Sequence, residues 1–215
     1  MTETVAGGKS NMKTSHTQNT RRLVGLSVLT ALVVVLQLIA AITPPIGPFR
    51  LTFSLVPIII GAILYGPAAG AILGGAFGLV VVLQVVTGID PGGFIMFTEN
   101  PVVTILVCMI KGIVAGWVAG LISRLFTKKN KPVLTVTLSA ILCPVCNTGI
   151  LSIAVLTFFH ELATGWALSE GFSNAFAYVL LGMVGVSFLL ELAINLVLTP
   201  AILTIIKAVK RYVKK

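Results

Sequence analysis

Long apolar runs, separated by short segments that hold nearly all of the charge, are the feature of this sequence that most restricts its fold. A helical run of about 20 apolar residues matches the thickness of a lipid bilayer. Hydrophobic residues make up 57% of the chain and charged residues only 10%, whereas a soluble domain carries roughly a quarter charged residues. The chain lacks the polar side chains to cover a water-facing surface, so the sequence predicts an all-α membrane protein.

Six transmembrane helices can be drawn between the breaks rich in proline and glycine. They cover Leu23–Ile42, Leu51–Tyr65, Ala68–Val86, Pro101–Phe126, Val133–Phe159 and Ala177–Ile206. Residues 1–20 are polar and predict a disordered cytoplasmic tail, which leaves residues 21–215 as one six-helix transmembrane domain. Two longer connections, residues 87–100 and 160–176, predict outer loops or, for the first, a re-entrant segment.

The basic residues predict the orientation of the chain. With a cytoplasmic N-terminus, thirteen of the 15 Lys and Arg residues lie on the cytoplasmic side, and only Arg50 and Lys111 do not. Because cytoplasmic segments of membrane proteins are enriched in Lys and Arg, both termini are predicted inside, in a multi-pass protein of the bacterial plasma membrane. This topology explains the net charge of +9, so lipid is a predicted partner and nucleic acid is not.

Polar side chains at membrane depth are the strongest functional signal. Lys111 lies ten residues into the fourth span, and Glu191 lies at comparable predicted depth in the sixth. An isolated charge near the bilayer centre costs at least ~2.5–3.5 kcal/mol, so both should face the bundle interior. One hypothesis is a substrate pocket that opens outward, lined by these two residues, Asn100 and Asn147, and roofed by Trp166. The other is a Lys111–Glu191 ion pair that only fixes helix packing.

Glycines recur at every fourth position in two spans. They are Gly66, Gly70, Gly74 and Gly78 in the third span, and Gly112, Gly116 and Gly120 in the fourth. Small residues at this spacing let helix backbones approach closely in a membrane. The fourth-span stripe predicts packing within the bundle, whereas the third-span stripe predicts either packing or a docking face for another membrane protein. Ser27 and Ala31 repeat the pattern in the first span.

The sequence contains no recognisable catalytic or ATP-binding motif. It has no G-x-S-x-G and no H-E-x-x-H, and its two histidines are His16 and His160. The Gly66–Gly70 turn lacks the Gly-Lys-Ser/Thr ending of a phosphate loop. Cys143 and Cys146 have C-x-x-C spacing but no second pair, which favours packing over metal binding. We therefore predict a protein that is not an enzyme and that has no metal and no cofactor.

Several segments resemble the substrate-binding (S) components of energy-coupling factor (ECF) vitamin transporters. They are Phe53–Pro57, Gly61–Gly70, Asn100-Pro101 and Lys111–Gly116. The resemblance covers nearly the whole chain after residue 20, and the Gly66-Pro67-x-x-Gly70 turn is its most specific part. It implies capture of a water-soluble vitamin from outside the cell. It also implies association with an ECF module of one transmembrane coupling subunit and two ATPases, and release of the vitamin when the binding protein topples in the membrane.

The same resemblance implies where the module docks. Members of this family contact the coupling subunit through an Ala-x-x-x-Ala motif on the first helix, and the matching positions here are Ser27 and Ala31. The stripe that includes Gly70 and Gly74 is the second predicted docking surface.

The sequence also bears on which vitamin is bound. Lys111 could meet a carboxylate, few aromatic residues lie below the outer loops, and the second span is similar to the pantothenate-type members. Pantothenate is therefore the favoured vitamin, while riboflavin, folate and a pyrimidine or pyridine precursor stay open. Two alternatives come from other classes: a structural membrane-assembly subunit, and a self-sufficient secondary transporter, which usually shows inverted repeats.

Overall fold

The computed structural model describes residues 4–43, 53–127, 131–183 and 185–213. Within these ranges the chain is almost entirely helical and has no β-strand, which confirms the predicted all-α class. The helices are α1 (Thr4–Ile42), α2 (Leu55–Tyr65), α3 (Pro67–Val86), α4 (Pro91–Glu99), α5 (Pro101–Thr127), α6 (Pro132–Phe158), α7 (His160–Ser169), α8 (Ala175–Ala177), α9 (Gly185–Val197) and α10 (Thr199–Val213). A π-helical segment, Tyr178–Met183, follows α8.

Five helical stretches of the described chain are long and apolar enough to cross a membrane. They are Thr20–Ile42, Pro67–Val86, Pro101–Phe126, Pro132–Phe158 and Ala175–Val197. Each therefore reaches about 30 Å or more, the thickness of the hydrocarbon layer. The helix α2 is also apolar, but its 11 residues reach only about 16 Å. These helices identify a multi-pass membrane protein.

The polar N-terminal segment belongs to α1. This helix begins at Thr4, whereas the sequence predicted disorder over residues 1–20, of which 1–3 lie outside the described residues. Once a helix exists, each added residue gains a hydrogen bond, so a polar segment can extend an apolar span. The apolar part of α1 begins at Thr20, close to the predicted start of the first span.

The last predicted span is divided in two. The helix α9 ends at Val197 and α10 begins at Thr199, where the sequence predicted a continuous helix over Ala177–Ile206. Pro200 explains the break, because proline has no backbone N–H and crowds the carbonyl four residues earlier, whereas the first turn of a helix tolerates it. The helix α10 packs mainly against α6 and α2, and its Ile202 and Ile206 belong to the main hydrophobic core.

Both long connections that were predicted as loops contain short helices. The helix α4 lies within residues 87–100, and the Asp90 carboxylate accepts a hydrogen bond from the Gly93 N–H at its start (3.5 Å). The helix α7 fills most of residues 160–176, and Asn174 caps α8 by accepting from the Ala177 N–H (2.8 Å). Asp and Asn are preferred at this capping position because their side-chain oxygens satisfy unpaired N–H groups.

The helices α3 and α5 pack backbone to backbone through their glycines. A Cβ atom added at Gly70 would overlap the carbonyl oxygen of Gly116, and one added at Gly74 would overlap that of Gly112. The fourth-span stripe therefore packs within the bundle, as predicted. The structure corrects the docking role predicted for Gly70 and Gly74: both are buried against α5, so a partner cannot reach them.

Apart from Lys111 and Glu191, the charged residues described here at side-chain level separate to opposite ends of the bundle. Arg22 donates a hydrogen bond to the Tyr65 carbonyl oxygen (3.2 Å), and Gly120 packs against Pro67 at the same end. We call this the basic end. Its exposed basic residues are Arg21, Arg22, Arg124, Lys131, Lys207 and Arg211. The opposite end, which we call the acidic end, consists of α4, α7 and their flanking turns, and it carries Asp90, Glu99, Glu161 and Glu170.

Candidate functional site

Lys111 lies inside the bundle on α5, and 9% of its surface is exposed. It is ten residues beyond Pro101, or about 15 Å from the acidic end of the helix. Ala115 and Ala119, which follow it one and two turns later, are completely buried. This stripe of α5 therefore faces other helices, as the interior position predicted for the Lys111 ammonium requires.

Asn147 lies at a similar depth on the neighbouring helix α6. It is 5% exposed and precedes Phe158 by eleven residues, or about 16 Å. Its Oδ1 atom is buried and accepts no hydrogen bond from the described residues. A buried acceptor without a donor lowers stability by about 1–3 kcal/mol, so this oxygen is suited to an N–H or O–H group of a ligand.

Glu191 lies deeper, on α9 where that helix packs against α6. Its side chain is buried, and α9 packs against α6. The last span begins at Ala175, so Glu191 is about 24 Å from the acidic end by residue count, below the depth of Lys111. The sequence had predicted comparable depths. Most of the difference is already present in the predicted spans, since Glu191 lies fourteen residues after Ala177 and Lys111 ten residues after Pro101, and the earlier helical start at Ala175 adds two residues.

Asn195 adds a second buried amide next to Glu191. It is 1% exposed, and its Nδ2 donates to the backbone carbonyl oxygen of Glu191 (2.8 Å). Its Oδ1 is buried and receives no hydrogen bond from the part of the chain that the structure describes. Asn147 on α6 and Glu191 and Asn195 on α9 therefore place three buried polar side chains at successive depths.

A cluster of large side chains closes the acidic end above these polar groups, and we call it the cap cluster. It consists of Met96, Phe159, Trp166, Phe172 and Tyr178. The Phe172 and Tyr178 rings meet edge to face with their centroids 5.5 Å apart. Trp166, the predicted roof residue, is partly buried in this cluster on α7. The cluster thus lies between the acidic end and the depth of Lys111 and Asn147.

Asn100 has a different environment from the other predicted site residues. It is exposed at the acidic end, and its Oδ1 accepts a hydrogen bond from the Val103 N–H (3.2 Å). Its carbonyl oxygen accepts from the Thr104 hydroxyl (2.8 Å). Asn100 therefore caps the first turn of α5 through its side-chain oxygen. Its side-chain NH₂ group is the part that remains to contact a ligand.

A buried network of amides near the acidic end was not predicted. The Gln37 Nε2 donates to the Gln84 Oε1 (3.0 Å), and the Gln84 Nε2 donates to the Gln37 carbonyl oxygen (2.9 Å). The Ser54 hydroxyl donates to the Gln37 Oε1 (3.0 Å). These bonds join α1, α3 and the start of α2, and they satisfy polar groups that would otherwise be unfavourable in a membrane. The sequence signal for this network was one glutamine inside each of two apolar spans, Gln37 in α1 and Gln84 in α3.

The small residues of α1 differ from those of α3 in their exposure. Ser27 and Ala31 are exposed, whereas Gly70 and Gly74 are buried. Within the protein, 17% of the most apolar window of α1 is buried, compared with 50% for the corresponding windows of α3 and α5. The helix α1 therefore offers a wide surface to lipid or to another membrane protein.

A comparison with known protein families agrees with this arrangement of apolar helices and interior polar residues. The family model of the ECF transporter, substrate-specific component, matches residues 21–203, from the start of the apolar part of α1 into α10. No curated protein matches the chain. Proteins of this family are substrate-binding subunits rather than enzymes, and they capture small molecules in the membrane for an ECF module. This chain therefore belongs to the family of substrate-specific components of ECF transporters.

Proposed function

We propose that this protein binds a water-soluble vitamin at its acidic end and presents it to an ECF module for ATP-driven import. The observation that carries the proposal is that Lys111 and Asn147 are buried at similar depths in neighbouring helices. One is a buried cation, and the other is a buried amide whose Oδ1 has no donor among the described residues. Both lie beneath the cap cluster. A ligand that carries an anion and a hydrogen-bond donor would complement both groups.

We further propose that six helices cross the membrane and that both termini are cytoplasmic. This count includes α2, which is short but joins the two ends of the bundle: the Ser54 hydroxyl at its start donates to Gln37 near the acidic end, and the Tyr65 carbonyl oxygen at its end accepts from Arg22 at the basic end. With six spans, the basic end faces the cytoplasm and the acidic end faces outward, in agreement with the enrichment of Lys and Arg on the cytoplasmic side.

Cysteine labelling tests this topology. In a variant that lacks Cys108, Cys143 and Cys146, single cysteines at positions 90 and 168 should react with a membrane-impermeant maleimide in intact cells. Cysteines at positions 130 and 213 should react only after the cells are permeabilised. Labelling at position 130 in intact cells would show that the orientation is wrong.

Pantothenate is the ligand that we propose among the vitamins considered. It carries a carboxylate for Lys111 and hydroxyl and amide donors for acceptors such as the Asn147 Oδ1. It has no aromatic ring, and the aromatic residue at the depth of Lys111, Phe77, packs against Gly112 in the main hydrophobic core, whereas Phe159, Trp166, Phe172 and Tyr178 lie in the cap cluster. Riboflavin, folate and a pyrimidine or pyridine precursor are the competing ligands. Mass spectrometry of the small molecule retained by the purified protein distinguishes them.

The substitution Lys111→Met should weaken binding of this ligand more than about tenfold, or about 1.4 kcal/mol. Without the ammonium group, the ligand carboxylate would lie in a poorly solvated site with no opposite charge. Isothermal titration calorimetry on the purified protein measures the change.

Lys131→Met is the matched control, because it removes an exposed cation at the basic end. It should leave the affinity unchanged. If the folded Lys111→Met protein binds as tightly as the parent, Lys111 is a structural residue and the site lies elsewhere.

A further inference from the structure

The helix α1 is fully buried only in its half near the acidic end. Its buried residues between positions 20 and 42 all lie in that half: Val33, Gln37 and Ala40. Residues 20–32, toward the basic end, are all at least partly exposed, and they include Ser27 and Ala31. The direction in which this pair of small residues points therefore depends mainly on how α1 is held around Gln37.

Three polar side chains hold this half of α1, and we call them the amide network: Gln37, Ser54 and Gln84. Gln37 takes part through its Nε2, its Oε1 and its backbone carbonyl oxygen. The Ser54 hydroxyl also lies 3.2 Å from the Val33 carbonyl oxygen and can donate to it. A rotation of α1, or a shift along its axis, would therefore disturb several hydrogen bonds at once.

Gln84 is itself held firmly, so it can serve as a fixed point for α1. Its backbone carbonyl oxygen accepts a hydrogen bond from the Asp90 N–H (3.1 Å), where α4 begins. The next residue, Val85, is 1% exposed and packs against Gly93 of α4. Ten residues earlier, Gly74 joins α3 to the backbone of α5. The amide network thus aligns α1 on the closely packed pair of α3 and α5.

Hydrogen bonds restrict the rotation of a helix more than apolar packing does. Apolar contact is non-directional, whereas a hydrogen bond weakens steeply away from its preferred distance and angle. Buried polar residues can fix the register of packed helices for this reason. Along an α-helix, Ala31 lies about 9 Å from Gln37 and about 120° around the axis, and Ser27 lies about 15 Å and about 80° away. A rotation that breaks the network would turn both small residues in another direction.

We propose that Gln37 and Gln84 are positioning residues for uptake, which hold α1 at the rotation that presents Ser27 and Ala31 to the coupling subunit. The proposal rests on the proposed function, and in particular on docking of the ECF module at these two small residues. A network that only stabilised the fold could be replaced by apolar side chains of the same shape at little cost. Directional bonds are needed where the rotation of the helix matters.

The double variant Gln37→Met/Gln84→Met tests the proposal. Methionine has nearly the shape of glutamine, and the double change leaves neither amide unpaired, while Ser54 keeps the Val33 carbonyl oxygen as an acceptor. The melting temperature should therefore stay within about 3 °C of the parent, and the vitamin affinity within about twofold. Uptake by cells that contain the ECF module should nevertheless fall about tenfold or more.

A distance measurement on this chain alone reports the orientation of α1 directly. Spin labels are attached to cysteines at positions 27 and 124 in the background that lacks the native cysteines, and electron–electron double resonance gives the distribution of distances between them. With the network intact, the distribution should have one narrow peak. The double methionine variant should broaden or shift it, because α1 can then rotate about its axis.

Two serine substitutions supply a matched pair. Ser54 and Ser139 are both 0% exposed, and each hydroxyl lies 3.2 Å from a backbone carbonyl oxygen of another helix. Ser54→Ala removes bonds to α1 and should lower uptake about threefold or more. Ser139→Ala removes a bond between α6 and α5 and should change uptake by less than about twofold.

Several results would overturn the proposal. Uptake by the methionine variant at the parent rate, or an unchanged distance distribution, would show that the network does not orient α1 for docking. Equal losses of uptake in the two serine variants would leave the network a role in stability alone. Loss of vitamin affinity would place it in the ligand site. If the parent takes up no vitamin with the module present, the proposed function fails, and the distance measurement still decides whether the network orients α1.

Discussion

Replacing Gly74 with alanine should destabilise the protein by about 1–3 kcal/mol, although the change adds a single methyl group. The added Cβ would overlap the Gly112 carbonyl oxygen. That oxygen belongs to a helix backbone, so it cannot rotate away as a flexible side chain can. The helices α3 and α5 would have to separate along their shared glycine interface. Thermal unfolding in detergent, followed by tryptophan fluorescence or by loss of the monodisperse peak, measures the loss.

Gly75→Ala is the matched control for this substitution. Its added Cβ would meet the nearest heavy atom, the Ile113 Cγ1, at 3.6 Å, an ordinary van der Waals contact. Alanine is also favoured over glycine within a helix by up to about 1 kcal/mol. Gly75→Ala should therefore leave the melting temperature unchanged or raise it slightly. If the two variants have the same stability, α3 and α5 do not pack through Gly74.

Proteoliposomes that contain only this chain should bind the vitamin without concentrating it. Its sequence has no phosphate loop, and we find no internal repeat that would support alternating access. Accumulation of radiolabelled vitamin should begin when the coupling subunit and the two ATPases are added with ATP. It should stop when the phosphate-loop lysines of the ATPases are replaced. Accumulation by this chain alone on an ion gradient would instead identify a secondary transporter.

The docking surface proposed on α1 makes the uptake experiment more specific. Ala31→Trp places a large ring on the exposed small-residue stripe and should abolish uptake, because the coupling subunit could no longer approach α1 closely. Ligand affinity should stay within about twofold of the parent. Leu32→Trp is the control, since Leu32 is also exposed (42%) but lies about 100° around the helix. Equal uptake by the two variants would exclude the Ser27–Ala31 stripe as the docking site.

The membrane class could be predicted because its cause is local. A run of apolar residues is unfavourable in water wherever it occurs, so the five long spans follow from composition alone. The ends of the helices depend on single residues, and the overall composition of a run does not reveal their effect. Pro200 divides the last span. Asp90 and Asn174 begin short helices inside connections that were predicted as loops because they are rich in polar residues.

The partners of buried residues were harder to predict than their burial. Glycine spacing shows that a backbone comes close to Gly70, but the spacing is the same whether that backbone belongs to α5 or to another protein. The energy of a buried charge likewise predicts that Lys111 and Glu191 face inward, without giving their relative depth. Asn100 lies before Pro101, a sequence typical of a helix start, and its capping role was therefore readable from the sequence.

The glycine contact between α3 and α5 has a consequence for internal motion. Where two backbones touch directly, no side chain lies between them. A change of side-chain rotamer therefore cannot loosen this interface locally. The pair can move only as a unit or separate completely. Amide hydrogens near Gly74 and Gly112 should therefore exchange on the slowest timescale in the protein, and those of α1 much faster. A protein built in this way would tilt in the bilayer as a rigid body around a central pair of helices, with its flexibility confined to the edges.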